Sequence, residues 1–120
     1  MDNSDEVLKA LTEKILKFRD ERNWSQFHDP KNLAVAISLE ASELQEIFLW
    51  NTTEESKKIS DEKVTKIKNE LADLFIFMTY MCDHFEIDLL DAVKKKLLIN
   101  NDKYPVDKAK NSSRKYTEFI

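Results

Sequence analysis

Glycine is absent from this 120-residue sequence, and proline occurs only as Pro30 and Pro105. Tight hairpins and sheet turns lean on glycine for positive backbone φ, so its absence predicts helices joined by polar connections. It also excludes the glycine-rich phosphate loops of P-loop and dinucleotide-binding folds, so any phosphate is held in another way. The single cysteine, Cys82, cannot form an internal disulfide. It lies in an apolar run with no basic or histidine partner at helical spacing, which marks a buried structural thiol and not a nucleophile. No apolar run reaches the length of a membrane span, and MDNSDEVLK lacks an apolar signal core. The expectation is therefore a cytoplasmic protein with no membrane partner. A net charge of −4 disfavours binding of a nucleic acid polymer by the whole surface.

What is present is enough for one core. At 14.2 kDa and 42% hydrophobic residues, the chain reads as a single domain over 1–120, with a largely irregular tail from 106 to 120. Residues 4–22 form an amphipathic helix, with Asn3 and Glu6 spaced as a capping box and Leu8, Leu11, Ile15 and Phe18 as its buried stripe. NWSQFHD, residues 23–29, is a connection whose Trp24 and Phe27 are core plugs or pocket lining, and whose His28 is a surface partner of Asp29 or pocket lining. Asp29 then Pro30 is an N-cap and N1 pair that opens a second helix ending near Trp50. The polar NTTEESKKIS follows. Ser60, Asp61 and Glu62 start a third helix, and Asp88 starts a fourth that Pro105 stops. From Leu71 the third helix reads LADLFIFMTYMC, apolar nearly all round. Such a helix must be covered on every side, which implies burial by another subunit.

Two pairs of carboxylates break the pattern. Leu33, Ile37, Leu44 and Ile47 share one helical face, and Glu40 falls in its middle with Glu43 at its flank. Glu70 stands at the entrance of the apolar third-helix run, and Asp73 is the one charged residue within it. An ionised carboxylate buried alone is costly, so such residues need a cation, a proton or a task. On an antiparallel helix pair, i and i+3 carboxylates from each helix can converge on one point. Oxygen-only ligands favour Mg²⁺ or Mn²⁺ over zinc or copper, and Mg²⁺ typically completes its shell with water and substrate phosphate. Glu46 continues the ladder and is a candidate proton acceptor. From Lys94 to Lys115 eight basic residues stand against two acidic ones, a stretch that is either a solubilising surface or a partner for polyphosphate.

The pattern Glu40-x-x-Glu43…Glu70-x-x-Asp73, with Trp50 closing the second helix, resembles the all-α nucleoside triphosphate pyrophosphohydrolases of the MazG type. RNWSQFHDPKNL, SLEASELQEIFLW, NELADLF, LLINNDKYP and NSSRKYTEF match in order and spacing, and are most similar to the dCTP pyrophosphatase branch. The resemblance implies a four-helix MazG-type bundle completed by oligomerisation, commonly a tetramer built as a dimer of dimers. It implies hydrolysis of a (deoxy)nucleoside triphosphate to monophosphate and pyrophosphate, with Mg²⁺ on Glu40, Glu43, Glu70 and Asp73. Trp24 and Trp50 would flank the base, with His28 and Phe77 lining the same substrate site. Lys96, Asn100 and Tyr104 would meet sugar or phosphates, and Arg114 and Lys115 would contact phosphates across a subunit boundary. Phe77 stands where that branch often has tyrosine, and Ile15 where its vertebrate members have histidine. The resemblance therefore carries hydrolysis further than it carries cytosine selectivity.

Two rival readings are weighed against this one. A di-iron or di-manganese four-helix protein uses Glu-x-x-His, but here Asp73 stands in the histidine position, and neither His28 nor His84 follows a glutamate by three. A non-catalytic helical interaction module leaves Asp73 inside LADLFIFMTYMC without a reason.

Overall fold

The computed structural model describes residues 3–119, and its chain divides into two compact units, residues 1–86 and 87–120. The protein is all-α, with no strand among the described residues. The first unit holds α1 (Asn3–Glu21), α2 (Pro30–Phe48), α3 (Thr53–Lys57) and α4 (Asp61–His84). The second holds α5 (Leu89–Lys103) and α6 (Val106–Ala109). Short 3-10 turns cover Trp24–Phe27 and Tyr116–Glu118.

Capping chemistry fixes most of the boundaries. Asp29 accepts from the Asn32 backbone N–H at 3.0 Å, and Pro30 occupies the first turn of α2. Ser60 and Asp88 cap α4 and α5 in the same way. Asn3, expected to cap α1, already lies within the helix, which is described from Asn3 onward. NTTEESKKIS, expected to be a plain connection, contains α3. There Thr52 and Glu55 form a reciprocal capping box that starts one short helix. Without glycine, the left-handed positions among the described residues fall to Asn23, Glu86 and Asn111, with φ of 52°, 54° and 62°. Asparagine tolerates this region best after glycine, whereas Glu86 carries a steric cost.

α2 and α4 form the principal packing of the first unit, and α1 packs on α4 and on the turn that follows it. Their directions follow from the residues that meet. His28, just before α2, stacks on Tyr80 near the end of α4, while Trp50, just after α2, shares a cavity with Lys63 in the first turn of α4. The two helices are therefore antiparallel. At the end of α4, Arg19 of α1 donates to Asp83 at 3.0 Å and lies 5.5 Å from the Tyr80 ring centre.

The first unit buries little of its apolar surface. Leu33 is completely buried, and Tyr80 and Thr79 are the other buried residues among those described. The expected stripe of α1 is half-exposed, with no buried residue in that helix. Leu71 in the apolar run of α4 remains 51% exposed, and Leu39 of α2 remains 59% exposed. In the second unit, Tyr104 meets Tyr116 and Phe119 edge-on at 5.9 and 5.8 Å, which ties the tail back to the end of α5. No described helix is long and apolar enough to cross a membrane.

Candidate functional site

The middle of the α2–α4 pair is where the two acidic ladders meet. Glu40 and Glu43 lie one turn apart on α2, and Glu70 faces them from α4. One carboxylate oxygen from each lies within 4.8 Å of the others. Glu40 and Glu70 are half-buried and Glu43 is exposed, so the cluster opens on one side. Oε2 of Glu40 and Oε2 of Glu70 are buried with no hydrogen-bond partner. Facing carboxylates present acceptors and no donor, so only a shared proton or a cation resolves the arrangement. With neither, the cluster is repulsive. That tension appears in Glu40, whose carboxyl is pushed up to about 8 by sharing a proton with Glu70, then by loss of water and the charges of Glu43 and Asp73. Asp73 lies outside the 4.8 Å set, yet its charge is felt at Glu40.

The donor set fits a hard divalent cation. It is carboxylate throughout, it has two buried oxygens without partners, and its accessible side leaves room for water and further ligands. Adjoining it is a cavity of about 520 Å³ lined by Glu43, Glu46, Ile47, Trp50, Asn51, Lys63, Lys66 and Glu70. Lys63 and Lys66 carry the only positive charge in that lining. Sequence reasoning passed over both, although the spacing Lys63, Lys66, Glu70 sets all three on one side of α4.

The other expected residues divide between three places. His28 stacks on Tyr80 at 5.0 Å and 18° and meets Trp24 and Phe77 edge-on, which makes an aromatic cluster at the start of α2. Burial, and then the charge of Arg19, holds the His28 imidazole below its ordinary pKa, favouring the neutral ring. Trp50 is 91% exposed at the opposite end of α2. The 19 residues of α2 span about 28 Å at 1.5 Å per residue, so Trp24 and Trp50 of one chain do not face each other. In the second unit, Lys96, Asn100 and Tyr104 belong to α5 and its C-cap. Arg114 lines a cavity of about 650 Å³ with Lys108, Ser112 and Phe119, and Lys115 opens the turn closed by Glu118.

Comparison with known proteins places this geometry in context. The profile of the MazG-like family matches residues 35–119. Human dCTP pyrophosphatase 1 is 39% identical over 105 residues, covering 86% of this chain and 62% of the human protein. The chain thus spans less than two thirds of that relative. The Bos taurus dCTP pyrophosphatase 1 is 33% identical over 119 residues, covering 98% of this chain and 70% of that protein. The crystal structure of a pyrophosphatase from Archaeoglobus fulgidus is 38% identical, with a TM-score of 0.74 over 88% of this chain and 94% of that one.

Proposed function

The chain belongs to the MazG-like family, and from that premise we propose that it hydrolyses (deoxy)nucleoside triphosphates, with dCTP or a related modified nucleotide as substrate. One water is consumed across the α–β anhydride bridge, and nucleoside monophosphate and pyrophosphate leave. The observation that carries this reading is the convergence of Glu40, Glu43 and Glu70 within 4.8 Å between two antiparallel helices. In this reading Glu40, Glu43, Glu70 and Asp73 hold Mg²⁺, for which Mn²⁺ can substitute. The ion, when bound, neutralises and polarises the phosphate oxygens.

The protein's own residues do the rest. Glu46 lines the same cavity as Glu43 and Glu70, and its carboxylate accepts the proton that the attacking water gives up. The aromatic cluster of Trp24, His28 and Phe77 offers ring faces and edges to the base. Stacking accepts any base, so selectivity rests on hydrogen-bonding groups beside the rings. A base held between Trp24 and Trp50 is held between two copies of the chain, because α2 separates them within one. The half-exposed apolar faces of α1, α2 and α4 support burial against further copies of the chain; in this reading the assembly is a homotetramer arranged as a dimer of dimers, working in the cytoplasm. Lys96, Asn100, Tyr104, Arg114 and Lys115 supply further contacts to sugar and phosphates.

The test is incubation with Mg²⁺ and a panel of ribo- and deoxynucleoside triphosphates, with pyrophosphate and monophosphate quantified. The expected result is equimolar pyrophosphate and monophosphate, strongest for a cytosine deoxynucleotide. Release of inorganic phosphate with the diphosphate, or no turnover of any nucleotide, rejects the reading.

A further inference from the structure

The carboxylate cluster sits between two chemically opposite ends of the α2–α4 groove. Along α4, Phe77 lies seven residues beyond Glu70, about 10 Å toward the end where His28, Trp24 and Tyr80 gather. In the other direction Lys66 lies four residues back, about 6 Å, and Lys63 seven back, about 10 Å. One end is therefore aromatic with a neutral imidazole, and the other carries two ammonium groups.

Neither ammonium group is held in an ion pair among the described residues, although the charge of Lys63 is also felt at Glu55. Lys63 and Lys66 share the cavity with Glu43, Glu46 and Glu70, yet the ion pairs among the described residues are Lys17–Glu21, Arg19–Asp20, Arg19–Asp83, Lys57–Glu54 and Lys95–Asp91. Lysines that face three carboxylates across about 520 Å³ without pairing to them leave space between the charges. That volume falls within the range typical of small-molecule sites. A polyanion lying there would bridge the ammonium groups to the acidic cluster, which needs a cation of its own.

Building on the pyrophosphohydrolase reading, we propose that Lys63 and Lys66 bind the β- and γ-phosphates of the substrate, and so the pyrophosphate product. The triphosphate then lies along the groove with the nucleoside toward Phe77 and His28 and its terminal phosphates toward the start of α4. Lysine suits this role as a mobile point charge, and charge-assisted bonds to phosphate are about twice as strong as neutral ones. The site reads the length of the phosphate chain at one end and the base at the other.

The test compares wild type with the Lys63→Gln/Lys66→Gln double variant by calorimetric titration of inorganic pyrophosphate and, separately, dCMP, both with Mg²⁺. Lys66 is exposed and Lys63 half-exposed, so an unchanged helical dichroism signal is expected of the variant. A Lys63→Arg/Lys66→Arg variant serves as a charge-retaining control. The expected result is at least a tenfold loss of pyrophosphate affinity, a change in dCMP affinity below about threefold, and substantial recovery in the arginine variant. The proposal is overturned by equal pyrophosphate binding in wild type and variant, by its absence in wild type, or by an equal loss for dCMP. Lysine-dependent pyrophosphate binding in a protein that hydrolyses no nucleotide would instead reject the hydrolase reading and leave the anion site standing.

Discussion

Without a cation the carboxylate cluster is a measurable liability, and Glu40 sets its size. In the chelator-treated protein Glu40 holds its proton up to about pH 8, whereas an unfolded glutamate releases it near 4.5. Between those values the folded state binds more protons than the unfolded one, so stability falls as pH rises. The contribution is present in full below 4.5 and is lost as pH climbs through about 8. At 1.36 kcal/mol per pH unit the ceiling is about 5 kcal/mol. Glu40 keeps contact with solvent beside an exposed Glu43, so screening and relaxation reduce this to about 1–2 kcal/mol. His28 acts in the opposite sense, because its lowered pKa makes stability fall as pH drops below about 6.5. The informative comparison is therefore between wild type and Glu40→Gln, which share His28. In thermal melts with EDTA, at fixed protein concentration, Glu40→Gln should exceed wild type at pH 8 by about 1–2 kcal/mol. For a chain of this size that is roughly 4–8 °C. The two should converge at pH 5. A wild-type advantage at pH 8, or a difference independent of pH, would refute the proton-sharing account of the cluster.

Three further outcomes follow from particular side chains. Leu33, the one described residue with no exposed surface, should cost about 3 kcal/mol on truncation to alanine, read as a lower urea midpoint with an unchanged slope. Cys82, whose thiol burial pushes up, should react with a disulfide reagent at pH 7 at least tenfold more slowly than free cysteine; a fast reaction would contradict its structural role. Glu43→Gln and Asp73→Asn should each reduce nucleotide turnover by at least a hundredfold while the helical signal stays intact, and full activity in either would remove that residue from the cation-holding set.

The long helices were legible because their starts are written in capping chemistry. Asp29–Pro30, Ser60 and Asp88 announce themselves by residue type, and each side chain accepts the expected backbone bond. The pairing of Glu40 with Glu70 was legible for another reason, since carboxylates in apolar stripes conflict with burial unless they meet something. α3 escaped notice because it has no apolar period, although its Thr52–Glu55 box was readable. Lys63 and Lys66 were missed because a lysine in a helical sequence is usually solvated, and only a shared cavity distinguishes these two. The distance between Trp24 and Trp50 depends on which ends of α2 they occupy, and position in a family pattern does not say whether two residues serve one copy or two. Burial was the weakest expectation. Amphipathic stripes name the faces that seek cover, but in a single chain Leu33, Tyr80 and Thr79 are the described residues that find it fully.

The most direct measurement is titration of Mn²⁺ into the metal-free protein, followed by electron paramagnetic resonance, with the Glu40→Gln/Glu70→Gln variant alongside. The wild type should quench the free-ion signal saturably, with Mg²⁺ competing for the same sites and the variant weakening binding at least tenfold. Equal Mn²⁺ binding by wild type and variant, or none by either, would contradict a cation site between α2 and α4.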